Sequence, residues 1–198
     1  MIGNDIIDIA EAYKINWRRK GFLKKIFNKN EQDLILNSEN SGLMVWLLWS
    51  MKESAYKISL RQNLNRVLNP SNFDCEFRII KSNLYSGKVF FYSSIYSTNT
   101  KISEEIISTI AVYGDSYFSY KIIQGIIKCS STDYSNQHKM LYDFTLKEIA
   151  RRINRPLNSL SIKKDFIGIP RLYLNNILLN IPISLSHHGN YAAYAINC

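Results

Sequence analysis

The chain lacks most of the features that announce a function. Cysteine is scarce: Cys75, Cys129 and Cys198 are odd in number and far apart, which argues against a disulfide framework or a metal knuckle and predicts ordinary reduced thiols. No apolar run is longer than Leu43 to Trp49, far short of the roughly 20 residues that a membrane-spanning helix needs. Met1 leads directly into a strand-like IGNDIIDI, with no basic segment followed by an apolar one, so the chain reads as cytoplasmic and unanchored. Glycine-rich loops of the GxxxxGK[ST] and GxGxxG kinds are missing, which removes the usual nucleotide-binding folds. Low-complexity segments and Pro/Gly linkers are missing too. Acidic residues are in deficit, 16 against 25 Lys and Arg, so the formal charge of +9 attracts anions: nucleic acid, anionic lipid, a phosphorylated metabolite or an acidic protein.

What is present is enough apolar material, 46% of 198 residues, for a real core. The densest basic cluster is WRRKGFLKK, where helical spacing turns Trp17, Leu23, Ile26 and Phe27 inward and leaves Arg18, Arg19, Lys20, Lys24 and Lys25 wet. Such a segment is a solvated amphipathic helix, or a docking surface for an acidic partner.

The sequence also repeats itself. LLWSMKESAYKI followed by NRVLNPSNFDCEF resembles YDFTLKEIARRI followed by NRPLNSLSIKKDF, with Lys52-Glu53 matching Lys147-Glu148 and Asn65-Arg66-x-Leu68-Asn69 matching Asn154-Arg155-x-Leu157-Asn158. Each half then reads as an opening strand, a helical region and further strands. Strands are expected at 2–10, 73–80, 87–97 and 104–114, helices around 17–37 and 42–61, then a strand-like 116–130, a helix over about 135–154, and strands at 171–176 and within 182–197. Gly87 and the pair Asn175-Asn176 suit turns. The fold class is α+β, built of two similar halves, 1–114 and 115–198, with a seam between them.

Three blocks carry chemistry. In WSMKESAYK, at the centre of an almost apolar helix, Trp46, Trp49, Ser50, Glu53 and Lys57 share one stripe, so Glu53 needs Lys57 or a bound cation to satisfy it. A plain Glu53–Lys57 pair at the helix surface is the simplest alternative. In IGNDIIDI, strand alternation sets Gly3, Asp5, Ile7 and Ile9 on one face, and Asp5 interrupts that apolar row while Asp8 falls on the other. If strand and helix pack together, Asp5 and Glu53 supply oxygens to a hard divalent ion, and Mg²⁺ with one or two carboxylates plus phosphates fits phosphoryl transfer. In SLSHHGNYAAYA, two strand-like segments bracket a polar turn at 186–189, where hydroxyl, imidazole and amides can hold a phosphate or merely bond the local backbone.

GNDIIDI, WSMKESAYK and PISLSHHGNYAAYA, in that order, resemble the signature of the 4'-phosphopantetheinyl transferase superfamily of the holo-acyl-carrier-protein synthase type. The resemblance spans nearly the whole chain. It implies transfer of the phosphopantetheine arm of coenzyme A to a serine of a carrier protein, in a pseudo-twofold α+β fold with the site at the seam. Carried over, Asp5 and Glu53 hold Mg²⁺, Glu53 or a water it orients takes the serine proton, Lys57 pairs with the pyrophosphate, and Ser186 and His187 bind the 3'-phosphate. Only the first half has the acidic blocks and only the second the Ser-Leu-Ser-His block, so one site per chain is expected, with Glu148 structural and a monomer sufficient.

Two departures stand out. Ile7 occupies the position where many two-half members carry a second carboxylate, and the family's Gly-Lys-Pro is Gly168-Ile169-Pro170 here, leaving Arg171, Lys163 or Lys164 to replace the lysine. The acidic carrier protein gives the basic segment a partner, through Arg18, Arg19 and Lys24, with neither nucleic acid nor membrane implied. The alternatives are a catalytically silent homologue that binds a carrier protein, and a basic nucleic-acid binder that would leave Asp5, Glu53 and the histidines without a role. The pathway of the acceptor, fatty-acid synthesis or a dedicated biosynthetic cluster, stays open.

Overall fold

A computed structural model describes residues 1–63, 69–115, 121–130 and 133–197. Strand β1 (Ile2–Asp8) ends where Asp8 caps helix α1 (Ile9–Ala12), its carboxylate accepting from the amides of Ala10 and Glu11. Helices α2 (Phe22–Ile26) and α3 (Lys29–Asn37) follow, then the long α4 (Ser41–Asn63). The single helix expected around 17–37 is thus two, because Phe27 is extended and Asn28 starts afresh with a capping box on Glu31. Residues 17–21 form turns in place of the expected helix, yet Trp17 and Phe27 are buried, Leu23 and Ile26 half-buried, and the five cations of the segment exposed.

Strands β2 (Asp74–Lys81), β3 (Leu84–Phe91), β4 (Ser94–Ile102) and β5 (Ile106–Tyr113) join β1 in one antiparallel sheet of order β1-β5-β4-β3-β2. Gly87 lies inside β3 and not in a turn: a Cβ there would collide with the Glu76 carbonyl and with Met51 of α4, so the position needs space and not a special φ. The main core fills the gap between α4 and this sheet, around Leu47, Leu48, Met51, Ile58, Phe73 and Tyr96.

Strand β6 (Ile122–Lys128) opens the second run, followed by helix α5 (Tyr134–Ile153). Strands β7 (Leu160–Lys164), β8 (Pro170–Leu174) and β9 (Ile177–Leu178) form a small sheet, with Asn175 and Asn176 at positive φ in the β8–β9 turn. The last strands, β10 (Ile183–His188) and β11 (Tyr191–Asn197), build a third sheet of order β10-β11-β6. The polar turn expected at 186–189 shrinks to Gly189-Asn190, because Ser186, His187 and His188 pair with Ala193, Ala192 and Tyr191. In both runs the opening strand pairs antiparallel with the last strand, which pairs antiparallel with the one before it: β1-β5-β4 and β6-β11-β10. The protein is α+β with small antiparallel sheets. Asn65, Arg66 and Leu68 of the repeat, the stretch 116–120 and Cys198 lie outside the described residues.

What positions the site is β1, buried on both faces. One face lies on α4, so close that a Cβ on Gly3 would strike the Ser54 carbonyl. On the other face Ile2 and Ile6 pack against Ala195, Ala193 and Tyr191 of β11.

Candidate active site

Asp5 projects from β1 toward α4, its side chain 12% exposed, with Lys57 Nζ 3.7 Å from its Oδ1. Burial raises its pKa, with the charge of Lys57 the largest opposing influence, and its Oδ2 is buried with no hydrogen-bond partner among the described residues. Ser50 is held by Thr109 at 2.9 Å, and Thr109 meets Thr100 at 2.8 Å, a buried polar ladder beneath the carboxylate. Glu53, one turn before Lys57, is pushed up to about 7 by burial first and by the charge of Asp5 second, with Lys57 opposing. Asp5, Glu53, Trp46, Trp49, His187 and His188 line one cleft. The simple surface pair between Glu53 and Lys57 is not the arrangement adopted: Lys57 turns to Asp5 and donates to the Asn4 carbonyl at 2.6 Å.

Two largely buried carboxylates, Glu53 raised by the charge of Asp5 and Asp5 with an orphaned oxygen, hold more negative charge than one nearby lysine balances. That donor set fits a hard divalent cation. Among the described residues no three His, Cys, Asp or Glu side chains converge as metal ligands, so the rest of its coordination would be water and phosphate oxygens.

A second cleft adjoins the first and shares His187 with it; Lys57, Arg61, Lys164, His138 and the Gly168-Ile169-Pro170 loop complete its walls. No carboxylate lines it among the described residues. Burial, then Lys57 and the other cations, push the His187 imidazole below its ordinary pKa, and His138 is lowered by burial and by Lys164. Tyr134, His138 and Tyr142 stack along α5 and Tyr134 meets His187 edge-on at 5.2 Å. The arrangement suits a phosphate ester with a planar group beside it.

The residues expected together on the phosphate diverge. His187 faces the cleft, whereas Ser186 is 6% exposed and its Oγ accepts from Asn4 Nδ2 at 3.0 Å, on the side of β10 that meets β1. Asn4 NH likewise donates to Ser184 Oγ at 3.0 Å. His188 faces the acidic cleft and accepts the Asp8 NH at its Nδ1, 3.0 Å away. Of the three cations expected in place of the Gly-Lys-Pro lysine, Lys164 alone lines the cleft; Arg171 is bonded to Asp165 at 3.0 Å and Lys163 to Asn176 at 3.0 Å. Glu148 is tied to Arg151 and Arg152.

Lys52, neighbour to Glu53 in the motif, points the opposite way: it is 1% exposed, 2.7 Å from Glu31, and donates to the carbonyls of Pro70 and Phe73. Glu31 in turn accepts from the amides of Asn28 and Cys75, each at 3.0 Å. Half of the Lys-Glu motif therefore anchors α4 and half serves the cleft. Glu31 and Arg61 escaped the sequence reading, although Arg61 continues the Glu53–Lys57 stripe at four-residue spacing and Glu31 completes an Asn-x-x-Glu capping box.

Among curated proteins nothing matches. Among solved structures, the crystal structure of Thermotoga maritima holo-[acyl-carrier-protein] synthase is similar over 89% of this chain and 83% of its own, at 12% identity and a TM-score of 0.42. A family model covers residues 1–111, more than half of the chain and the part that holds Asp5, Glu53 and Lys57; the chain belongs to the 4'-phosphopantetheinyl transferase superfamily.

Proposed function

We propose that the protein transfers the 4'-phosphopantetheine group of coenzyme A to a serine of an apo acyl or peptidyl carrier protein in a Mg²⁺-dependent reaction, releasing adenosine 3',5'-bisphosphate. The observation that carries this reading is the junction of two clefts at His187: one holds Asp5 and Glu53, the other a set of cations without a carboxylate. Acid and base functions thus lie side by side, as transfer from a diphosphate requires.

Asp5 and Glu53 would hold the metal, which would neutralise charge on the diphosphate. Glu53, or a water it orients, takes the proton of the carrier serine; a bound cation would favour the ionised carboxylate, the form able to accept that proton. The serine oxygen forms a bond to the phosphorus that bears the pantetheine, the bond to the bridging oxygen breaks, and the nucleotide leaves with the electron pair. Lys57 steadies the diphosphate, and His187 and Lys164 hold the 3'-phosphate. Ser186 serves through Asn4, which it fixes on β1. The division at about residue 114 into an acidic and a phosphate-binding half is part of this reading, as is a cytoplasmic setting; no helix among the described residues is long and apolar enough to cross a membrane. The carrier docks on the exposed Arg18, Arg19 and Lys24.

Intact-mass analysis of several apo carrier proteins, incubated with coenzyme A and Mg²⁺, tests the proposal. A gain of one phosphopantetheine that requires Mg²⁺ and vanishes with Glu53→Gln is expected; a folded protein that modifies none of them would sink it and favour the silent homologue.

A further inference from the structure

Arg61 lies one turn beyond Lys57 on α4 and lines the cationic cleft, yet the residues given roles above do not include it. One terminal nitrogen of its guanidinium donates to the Ile183 carbonyl of β10. Its Nε is buried and has no hydrogen-bond partner among the described residues. Arg171 repels it and Asp165 attracts it, but Asp165 is already engaged by Arg171 Nε at 3.0 Å and by the amides of Ile167 and Ile169. Burial and Arg171 lower the Arg61 pKa to about 10, so it stays charged at neutral pH while short of counter-charge. A partly desolvated guanidinium with a spare donor calls for an anion, and planar forks bind phosphate well.

The same cleft contains the vacancy that such a cation would fill. Ile169, 4% exposed, stands where the family's Gly-Lys-Pro has its lysine, and it brings no charge to the loop. Position along the helix selects which phosphate. Arg61 is eight residues from Glu53, about 12 Å along the axis, with Lys57 between them. The diphosphate reacts at the carboxylate end, so Arg61 is placed for a phosphate on the far side of the ribose.

We infer that Arg61 joins Lys164 and His187 on the 3'-phosphate of coenzyme A, and that it sets the preference for coenzyme A over dephospho-coenzyme A. This rests on the transfer reading above.

Calorimetric titration of the wild type, Arg61→Gln and Arg61→Lys with coenzyme A and with dephospho-coenzyme A separates the two. Arg61→Gln is expected to bind coenzyme A about ten- to hundred-fold more weakly and dephospho-coenzyme A as the wild type does, with Arg61→Lys in between. Unchanged dephospho-coenzyme A binding also shows that the variant is folded. Equal weakening towards both ligands, or no weakening towards either, overturns the assignment of Arg61 and leaves the transfer reading standing. A wild type that binds neither ligand overturns both.

Discussion

Asp5 and Lys57 lie 3.7 Å apart, and the ammonium does not satisfy the carboxylate. Lys57 makes its short hydrogen bond, 2.6 Å, to the Asn4 carbonyl, while Asp5 Oδ2 stays buried without a partner. Glu53 adds a second carboxylate to the same cleft. Stability has been given up here for a concentration of negative charge, and that cost is measurable.

In metal-free protein the Glu53 carboxyl is raised from 4.5 to about 7. The folded state then holds a proton that the unfolded state releases, so stability is full below the unfolded value and falls as pH rises towards 7. At most about 3 kcal/mol is lost across that window. Glu53→Gln should abolish most of this slope and be more stable than the wild type at pH 8, measured by urea unfolding in chelator at pH 5 and pH 8. Adding Mg²⁺ at pH 8 should raise the Tm of the wild type and not of the variant. Identical pH slopes in the two proteins would show that Glu53 is not held in this unfavourable state.

Lys52 offers the opposite case, a charge that stabilises. Lys52→Met leaves Glu31 buried beside only the Asn28 and Cys75 amides, which should cost about 3–5 kcal/mol. Because Lys52 lines neither cleft, transfer per folded molecule should stay near the wild-type rate. Denaturant melts combined with activity corrected for the folded fraction check this; a fully folded variant that is inactive would place Lys52 in the site after all.

Much of the arrangement is legible along the chain. Asp5 breaks a period-two apolar row and Glu53 interrupts a period-3.6 one, and both breaks are visible locally because a strand or helix face is fixed by spacing alone. Lys52 and Glu53 are harder, since adjacent helical residues point about 100° apart and only the burial of Lys52 against Glu31 tells which faces the cleft. Ser186 and His187 pose the same problem across β10: the side that meets β1 is fixed by pairing with residues over 180 positions away, as in the Asn4–Ser186 bond. Gly87 suits a turn by its sequence alone, because its reason for being glycine, the approach of Met51 from α4, is not local. The α2–α3 break was legible in Asn28-x-x-Glu31, but the apolar spacing runs through it and masks the cap.

The proposed carrier surface makes an independent prediction. Arg18, Arg19 and Lys24 are exposed, with the Arg18 guanidinium 4.1 Å over the Trp17 ring. Reversing all three charges should raise the KM for the carrier protein and flatten its salt dependence while leaving the coenzyme A KM unchanged. Arg18→Gln alone controls for the lost stacking on Trp17. An unaltered carrier KM would remove the assignment.

His187 reports on the cationic cleft directly. Burial lowers its pKa, followed by Lys57, His138, Lys164 and His188. The desolvation will persist when a ligand binds, but the repulsion will be offset if the ligand is a phosphate dianion beside the ring. Adenosine 3',5'-bisphosphate should therefore raise the His187 pKa by about one unit or more, read from imidazole resonances across a pH titration with and without the nucleotide, assigned through His187→Gln. Binding and protonation are then linked: the nucleotide must bind more tightly at pH 6 than at pH 8, and His187→Gln must lose that pH dependence. Adenosine, which carries no phosphate, should leave the titration where it was. A His187 titration that ignores the bisphosphate would mean that the anion does not sit against this ring, and the phosphate would then have to be sought elsewhere on the cationic wall.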